Sequence, residues 1–235
     1  VNLILLFEDD FIGERRVRLE GRRFDHLIKV HRARVGDRFC VGKLGGLIGT
    51  GKVVSLEECA AEMEVLLEHQ PPAPLPVTLI LALPRPKFLR RILFSASAMG
   101  VKRIVVLNSY RVEKSYWQSP FLKQEQIGKQ LLLGLEQARD TIMPEVVLRP
   151  LFKPFVEDEL PGMLRGVLPL LAQPDAGESC PRGTNGQVAL AVGPEGGFIP
   201  YEIDTLLSCG FKAVSLGERV LHVEAAVPAL LSRLF

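Results

Sequence analysis

Apolar positions change rhythm at Pro76. Before it they come in short β-rich runs, Leu3–Phe7, Val17–Leu19, Arg38–Val41, Leu47–Val54 and Ala61–Leu67. Turn residues at Gly13, Gly21, Gly36-Asp37 and Gly45-Gly46 separate them, which predicts a small antiparallel barrel over residues 1–70. Between the second and third runs, Arg23–His31 places Phe24, Leu27, Ile28 and His31 at helical spacing. Residues 71–76 hold four prolines, which neither donate to a sheet nor sit inside a helix, and read as a linker.

From Val77 to Phe235 strands alternate with helices. Val77–Leu83 reads as a buried strand, and Phe88, Leu89, Ile92, Leu93, Ala96 and Met99 recur with helical period until Gly100 ends them. Arg103–Leu107, Val146–Leu148, Val167–Leu171, Val188–Val192 and a strand from Ala213 toward Gly217 follow. Ser119-Pro120 reads as the cap and first turn of a long helix running to Arg139, and an apolar helix closes the chain. Gln173–Gln187, rich in Pro, Gly, Asp and Ser, reads as a mobile surface loop. The βαβ rhythm predicts a mostly parallel sheet with helices on its faces.

Composition adds little until charge is located. The net charge is only +2, yet residues 13–43 carry ten Lys/Arg against four Asp/Glu, and residues 84–123 carry nine against one. Positive charge concentrated in two segments fits phosphate-backbone binding, with a solvated face as the plain alternative. Lys87, Arg90 and Arg91, then Arg111 and Lys114 beside Tyr116 and Trp117, mix cations with aromatics in the way splayed RNA bases require. No apolar run approaches a membrane span, and the opening Val1–Phe7 run is short and followed by acids, so a first strand is expected and not a signal peptide. The four cysteines stand far apart without CxxC; free thiols in a reducing cytosol are expected, and zinc is not.

The chemistry concentrates near the C-terminus. Val188–Val192 runs into Gly193-Pro-Glu-Gly-Gly197, where glycines let a ligand approach bare backbone, and Pro200 then starts a helix. A second glycine-tipped strand ends at Gly217, so the two ends are expected to line one pocket at the carboxyl edge of the sheet. Gly46-Leu-Ile-Gly-Thr-Gly-Lys52 imitates a phosphate-binding loop but continues with Val53, which has no hydroxyl for magnesium and prolongs a strand; a hairpin turn is the better reading. Glu195 would repel a pyrophosphate and tolerates a sulfonium cofactor better.

Gly193-Pro-Glu-Gly-Gly197 and Leu216-Gly-Glu-Arg-Val-Leu221 with Glu224-Ala-Ala226 resemble the C-terminal signature of the RsmE family. These are SPOUT-class methyltransferases that use S-adenosylmethionine to methylate N3 of a uridine in 16S ribosomal RNA. His26 with Arg32-Ala-Arg-Val-Gly-Asp37, Ser109-Tyr-Arg111, and Glu136-Gln-Ala-Arg139 with Pro144 are similar to other elements of that family. His222 and Ala225 stand where it usually has arginine and threonine.

The resemblance implies a PUA-like β-barrel RNA-binding domain over residues 1–70 and a SPOUT α/β domain with a trefoil knot over residues 77–235. The knot is carried by the resemblance alone, since chain topology rarely knots. It further implies a bent S-adenosylmethionine held by Leu81, Leu83, Val192, Gly193, Glu195, Gly196, Gly197, Leu216, Gly217, Val220 and Leu221. Glu224 or Glu136 is the candidate base, and Arg139 or Arg219 the candidate partner of an anionic uracil. His26, Arg32, Arg34, Lys87, Arg90, Arg111 and Lys114 are the candidate RNA contacts. Read without the resemblance, His26 is a structural histidine, Glu136 and Arg139 are solvated helix surface, and Glu224 is helix N-terminal charge. A homodimer is implied, with the apolar run Val227–Phe235 as a contributor. Two alternatives stay open: a noncatalytic RNA-binding member of the fold, motivated by His222 and Ala225, and a methyltransferase for a different RNA.

Overall fold

Alternating burial between Ile4 and His69 builds one sheet. The computed structural model describes residues 2–235, so Val1 of the opening run lies outside the description. The chain divides into two units, one running to Ala73 and including Leu135–Met143, the other made of Pro74–Gly134 and Pro144–Phe235. The segment Leu135–Met143 therefore belongs with the first unit, although the sequence places it in residues 77–235. The proline-rich stretch is divided as well. Leu75 donates its N–H to the Gly100 carbonyl and the Pro76 carbonyl accepts from Val188, which fixes this end in the second unit.

The first unit holds β1 (Ile4–Leu6), β2 (Phe11–Gly13), β3 (Arg16–Glu20), α1 (Gly21–Lys29), β4 (Arg38–Lys43), β5 (Ile48–Leu56) and β6 (Ala60–His69). The strands form one sheet in the order β1-β4-β5-β6-β3-β2. Its pairings are antiparallel except β1 with β4, which is parallel across a long connection that contains β2, β3 and α1. Val41, Val53, Met63 and Val65 point inward onto Val17, Leu19 and Leu27. Helix α1 ends at Lys29, so His31 lies beyond it, its ring 4.9 Å from that of His26. Residues 48–56 are strand, as the rejected phosphate loop required. At Gly49 a β-bulge brings the backbone so close that an added Cβ would lie 1.8 Å from the Leu66 carbonyl oxygen, and only glycine fits.

The second unit holds β7 (Val77–Ala82), α2 (Pro86–Ala98), β8 (Arg103–Leu107), most of α3 (Gln124–Ala138), β9 (Glu145–Arg149), α4 (Phe152–Pro154), α5 (Leu160–Met163), β10 (Leu168–Ala172), β11 (Val188–Val192), α6 (Pro200–Ser208), β12 (Lys212–Val214) and α7 (Val223–Leu234). All strands are parallel, in the order β12-β10-β11-β7-β8-β9. Leu79 and Leu81 face α2, α3 and α7, while Ile80 and Ala82 face Phe155, Leu160, Leu206 and Phe211. Burial on both faces explains why these strands read as unbroken apolar runs.

Three expectations need correction. Ser119 accepts an N–H from Phe121 as expected of a cap, but it starts only the short 3-10 turn Pro120–Leu122. Lys123 is extended and α3 begins at Gln124. The segment Gln173–Gln187 is irregular but anchored: Cys180 N–H donates to Ser215, Ser215 N–H to Glu178, and Thr184 N–H to Leu234. The C-terminal run is consumed by the core, with Val227, Leu230, Leu231 and Leu234 buried under the sheet, so its apolar character reports packing and not a free surface. No helix among the described residues is long and apolar enough to cross a membrane.

Candidate functional site

The strand order decides where the loops meet. In it β10 lies between β12 and β11, so the loops leaving these three strands converge on a cavity of about 310 Å³. Ala172, Gln173 and Pro174 come from the end of β10, Val192–Glu195 with Gly197 and Phe198 from the glycine loop, and Val214–Gly217 from the end of β12. Arg219–Val223, Ala226 and Leu230 complete the wall. Gly217 has φ +119, a conformation that L side chains rarely adopt. The side-chain amide nitrogen of Gln173 is buried without a hydrogen-bond partner. An unpartnered buried donor costs about 1–3 kcal/mol, which a ligand acceptor in this cavity would offset.

The glycine loop is held from outside the cavity by ties to the loops after β7 and β8. Glu195 accepts the Arg85 N–H at 2.8 Å, so its carboxylate holds the start of α2. Arg111 donates to the Gly196 carbonyl, and its Cδ would lie 3.1 Å from a Cβ added at Gly196. Buried Glu202 accepts the N–H of Ile199 at 3.0 Å and that of Tyr110 at 2.7 Å. Sequence reasoning missed Glu202, although an acid in the first turn after Pro200 is a readable capping signal. It also missed Gln173, which no motif marks.

Of the residues expected to hold a cofactor, Val192, Gly193, Glu195, Gly197, Leu216, Gly217, Val220 and Leu221 line the cavity. Leu81 and Leu83 do not; they are 0% and 1% exposed core residues of β7 and the turn after it, and the loop after β10 takes the place expected of theirs. Gly196 is not a wall residue either, because Arg111 covers it. Among the candidate catalytic residues, Arg219 lines the cavity. Glu224 lies between the wall residues Val223 and Ala226 but faces a separate cationic depression with Lys87, Arg90, Arg91 and Gln130, and pairs with Arg91 at 3.0 Å. Glu136 belongs to the first unit, is 2% exposed, and takes both nitrogens of Arg22 at 2.6 and 3.0 Å. With both oxygens engaged it is a structural ion-pair partner and not a free base. Arg139, also in the first unit, lines a groove there.

The candidate RNA contacts divide in the same way. Arg32 and Arg34 are exposed; Arg32 has φ 51, and the Arg34 N–H is held by Asp37. His26 is half-buried, and burial pushes its pKa below the ordinary value. Lys87 lies over the Phe88 ring and Arg90 over the Phe121 ring, while Lys114 is exposed. Tyr116 and Trp117 are not free stacking platforms: both pack on the core, and the Trp117 indole N–H donates to Asn108. The exposed ring in this region is Tyr110, at 80%. Among the described residues no three His, Cys, Asp or Glu side chains cluster as metal ligands.

Residues 71–235 match the RNA methyltransferase domain family. The chain is 27% identical to the ribosomal RNA small subunit methyltransferase E of Treponema pallidum, covering 97% of this chain and 88% of the relative. It is 28% identical to the protein of the same name from Synechocystis, covering 98% and 76%. It shares the fold of a ribosomal RNA small subunit methyltransferase E from Neisseria gonorrhoeae solved with S-adenosyl methionine, with a TM-score of 0.77 and 23% identity over 98% of this chain and 94% of that one. The resemblance carried by Gly193–Gly197 and Leu216–Leu221 is borne out, and with it the reading of the chain as a methyltransferase. The chain belongs to the RNA methyltransferase domain family.

Proposed function

We propose that this protein transfers a methyl group from S-adenosylmethionine to N3 of a uridine in small-subunit ribosomal RNA. The observation that carries the reading is the cavity at the ends of β12, β10 and β11, with the lone Gln173 amide buried in its wall. Its residues fit the cofactor: an apolar wall for adenosine and methionine carbons, glycine backbone for close approach, and no carboxylate but Glu195, which is already tied to Arg85. The substrate assignment rests on the names of the Treponema and Synechocystis relatives and on the family signature.

When bound, the cofactor supplies an electrophilic methyl group, so the chain has only to align the uridine nitrogen and remove its proton. Gln173 and the glycine loop hold the cofactor. Arg219, on the cavity wall, stabilises the anionic uracil, and Glu224, which faces the neighbouring depression, would leave its pair with Arg91 to take the N3 proton. The depression of Lys87, Arg90 and Arg91 beside Glu224 holds the RNA backbone so that an extruded base reaches the cavity. The first unit is the PUA-like barrel and positions RNA. The trefoil knot is what the resemblance to SPOUT-class enzymes implies for this domain. The protein works in the cytoplasm as a homodimer; exposed Val220 and Leu221 beside the cavity support a partner surface there.

The test is tritiated methyl incorporation into isolated small subunits, with mapping of the modified base. Label at N3 of one uridine is expected, and Gln173→Ala should lower cofactor affinity by roughly tenfold, from the loss of one hydrogen bond to a buried donor. Cofactor binding without incorporation into any RNA makes the protein a noncatalytic binder, and label in a different RNA reassigns the substrate.

A further inference from the structure

We propose that a groove on the outer face of the first unit's sheet binds the phosphate backbone of RNA, through Arg38 and Arg139 with His69, Thr50 and Cys40 between them. The inference rests on the RNA-methyltransferase reading but concerns a site well apart from the cofactor cavity in sequence and in lining residues. The groove encloses about 510 Å³, and no acid lines it.

Register places these side chains together. Cys40 of β4 is opposite Thr50 of β5, and Arg38 is opposite Lys52. The alternate residues Val41 and Val53 are buried in the core, so Arg38, Cys40, Thr50 and Lys52 share the outward face. Like charges directly opposite each other destabilise a sheet, and an anion bound between them removes the conflict. Lys52 has Glu64 beside it on β6, but Arg38 has no such neighbour.

Charge pairing leaves both arginines of the groove available. Arg16, Arg18, Arg22 and Arg23 each meet a carboxylate. Among the described residues Arg38 and Arg139 meet none. Arg139 follows the last residue of α3 with φ 56, a left-handed position where helices usually carry glycine. The chain holds an arginine there, and its side chain reaches the groove. Burial pushes the Cys40 thiol up, with Arg139 acting the other way, so no thiolate opposes an incoming anion. Two guanidinium groups, an imidazole and a hydroxyl without a carboxylate are donors for phosphate and ribose oxygens.

The test is fluorescence anisotropy with a labelled fragment of 16S ribosomal RNA across a potassium chloride series. The variant is Arg38→Ala with Arg139→Gly; glycine accepts the left-handed backbone, so the fold survives. We expect RNA affinity to fall about tenfold and the log–log salt slope to shrink by roughly one to two, from two lost phosphate contacts. Arg38→Gln alone should give part of the loss, and cofactor affinity by calorimetry should not change. Wild-type RNA affinity and salt slope in both variants overturn the groove while leaving the methyltransferase reading intact. A native protein that binds neither the cofactor nor RNA removes that reading, and the groove with it.

Discussion

The basic segments of the two units, residues 13–43 and 84–123, carry comparable excesses of positive charge and use them differently. In the first, Arg16 and Arg18 lie against Glu62 and Glu57 across the sheet, Arg23 against Asp10, Lys29 against Asp25 and Lys43 against Glu8. Such pairs are worth about 0–1 kcal/mol each when exposed, so they do little for stability, but they cancel the field an RNA would feel. What remains among the described residues is Arg15, Arg32, Arg34, Arg38, Lys52 and Arg139, of which Arg38 and Arg139 share one groove. Around the site of the second unit acids are scarce. Lys87 and Arg90 rest on aromatic rings, Arg91 meets Glu224, and Arg111 donates to a backbone carbonyl. A count of charged residues sees two basic segments; pairing shows half of the first unit's cations tied to carboxylates and a cationic rim on the second.

The largest effect that would sharpen this contrast is expected from Gly49→Val. Its side chain would collide with the Leu66 carbonyl and break the pairing of β5 with β6, at a cost of about 3 kcal/mol or more. Thermal melting should show the first unit lost and RNA binding gone, with calorimetric cofactor affinity retained. Loss of cofactor binding as well would break the division of labour between the units.

Next in size is Arg111→Met. Releasing the Gly196 carbonyl should weaken cofactor binding about tenfold, on the scale of a hydrogen bond to a charged group, and Arg111→Lys should recover part of it. Weaker RNA binding with cofactor affinity intact would make Arg111 an RNA contact instead of a loop tie.

The smallest effect is a pH dependence in the first unit. The His26 pKa lies below its ordinary 6.5, chiefly through burial, so folding favours the neutral ring. Its contribution is complete above that ordinary value and is lost as pH falls through the lowered folded value. The urea midpoint should therefore drop on acidification below pH 6.5, and His26→Gln should flatten that drop slightly. An unaltered pH profile would mean that His26 does not couple to folding.

Local pattern determined much of this protein. Five-residue apolar runs became the parallel strands, Pro200 opened α6, and the residues after Val192 and Val214 became loops of one cavity. These follow from periodicity, proline geometry and glycine freedom, which act over a few residues. Tertiary structure decided the rest. The third loop of the cavity comes from β10 and not from β7, because strand order is set by pairing between segments far apart in sequence. Glu136 became the partner of Arg22, 114 residues away, and Trp117 turned to Asn108 and the core. Gln173 became a candidate cofactor ligand because the chain buried its amide nitrogen without a partner. Sequence alone fixes which residues are able to hydrogen-bond or ionise; which of them remain unpaired after folding depends on long-range contacts.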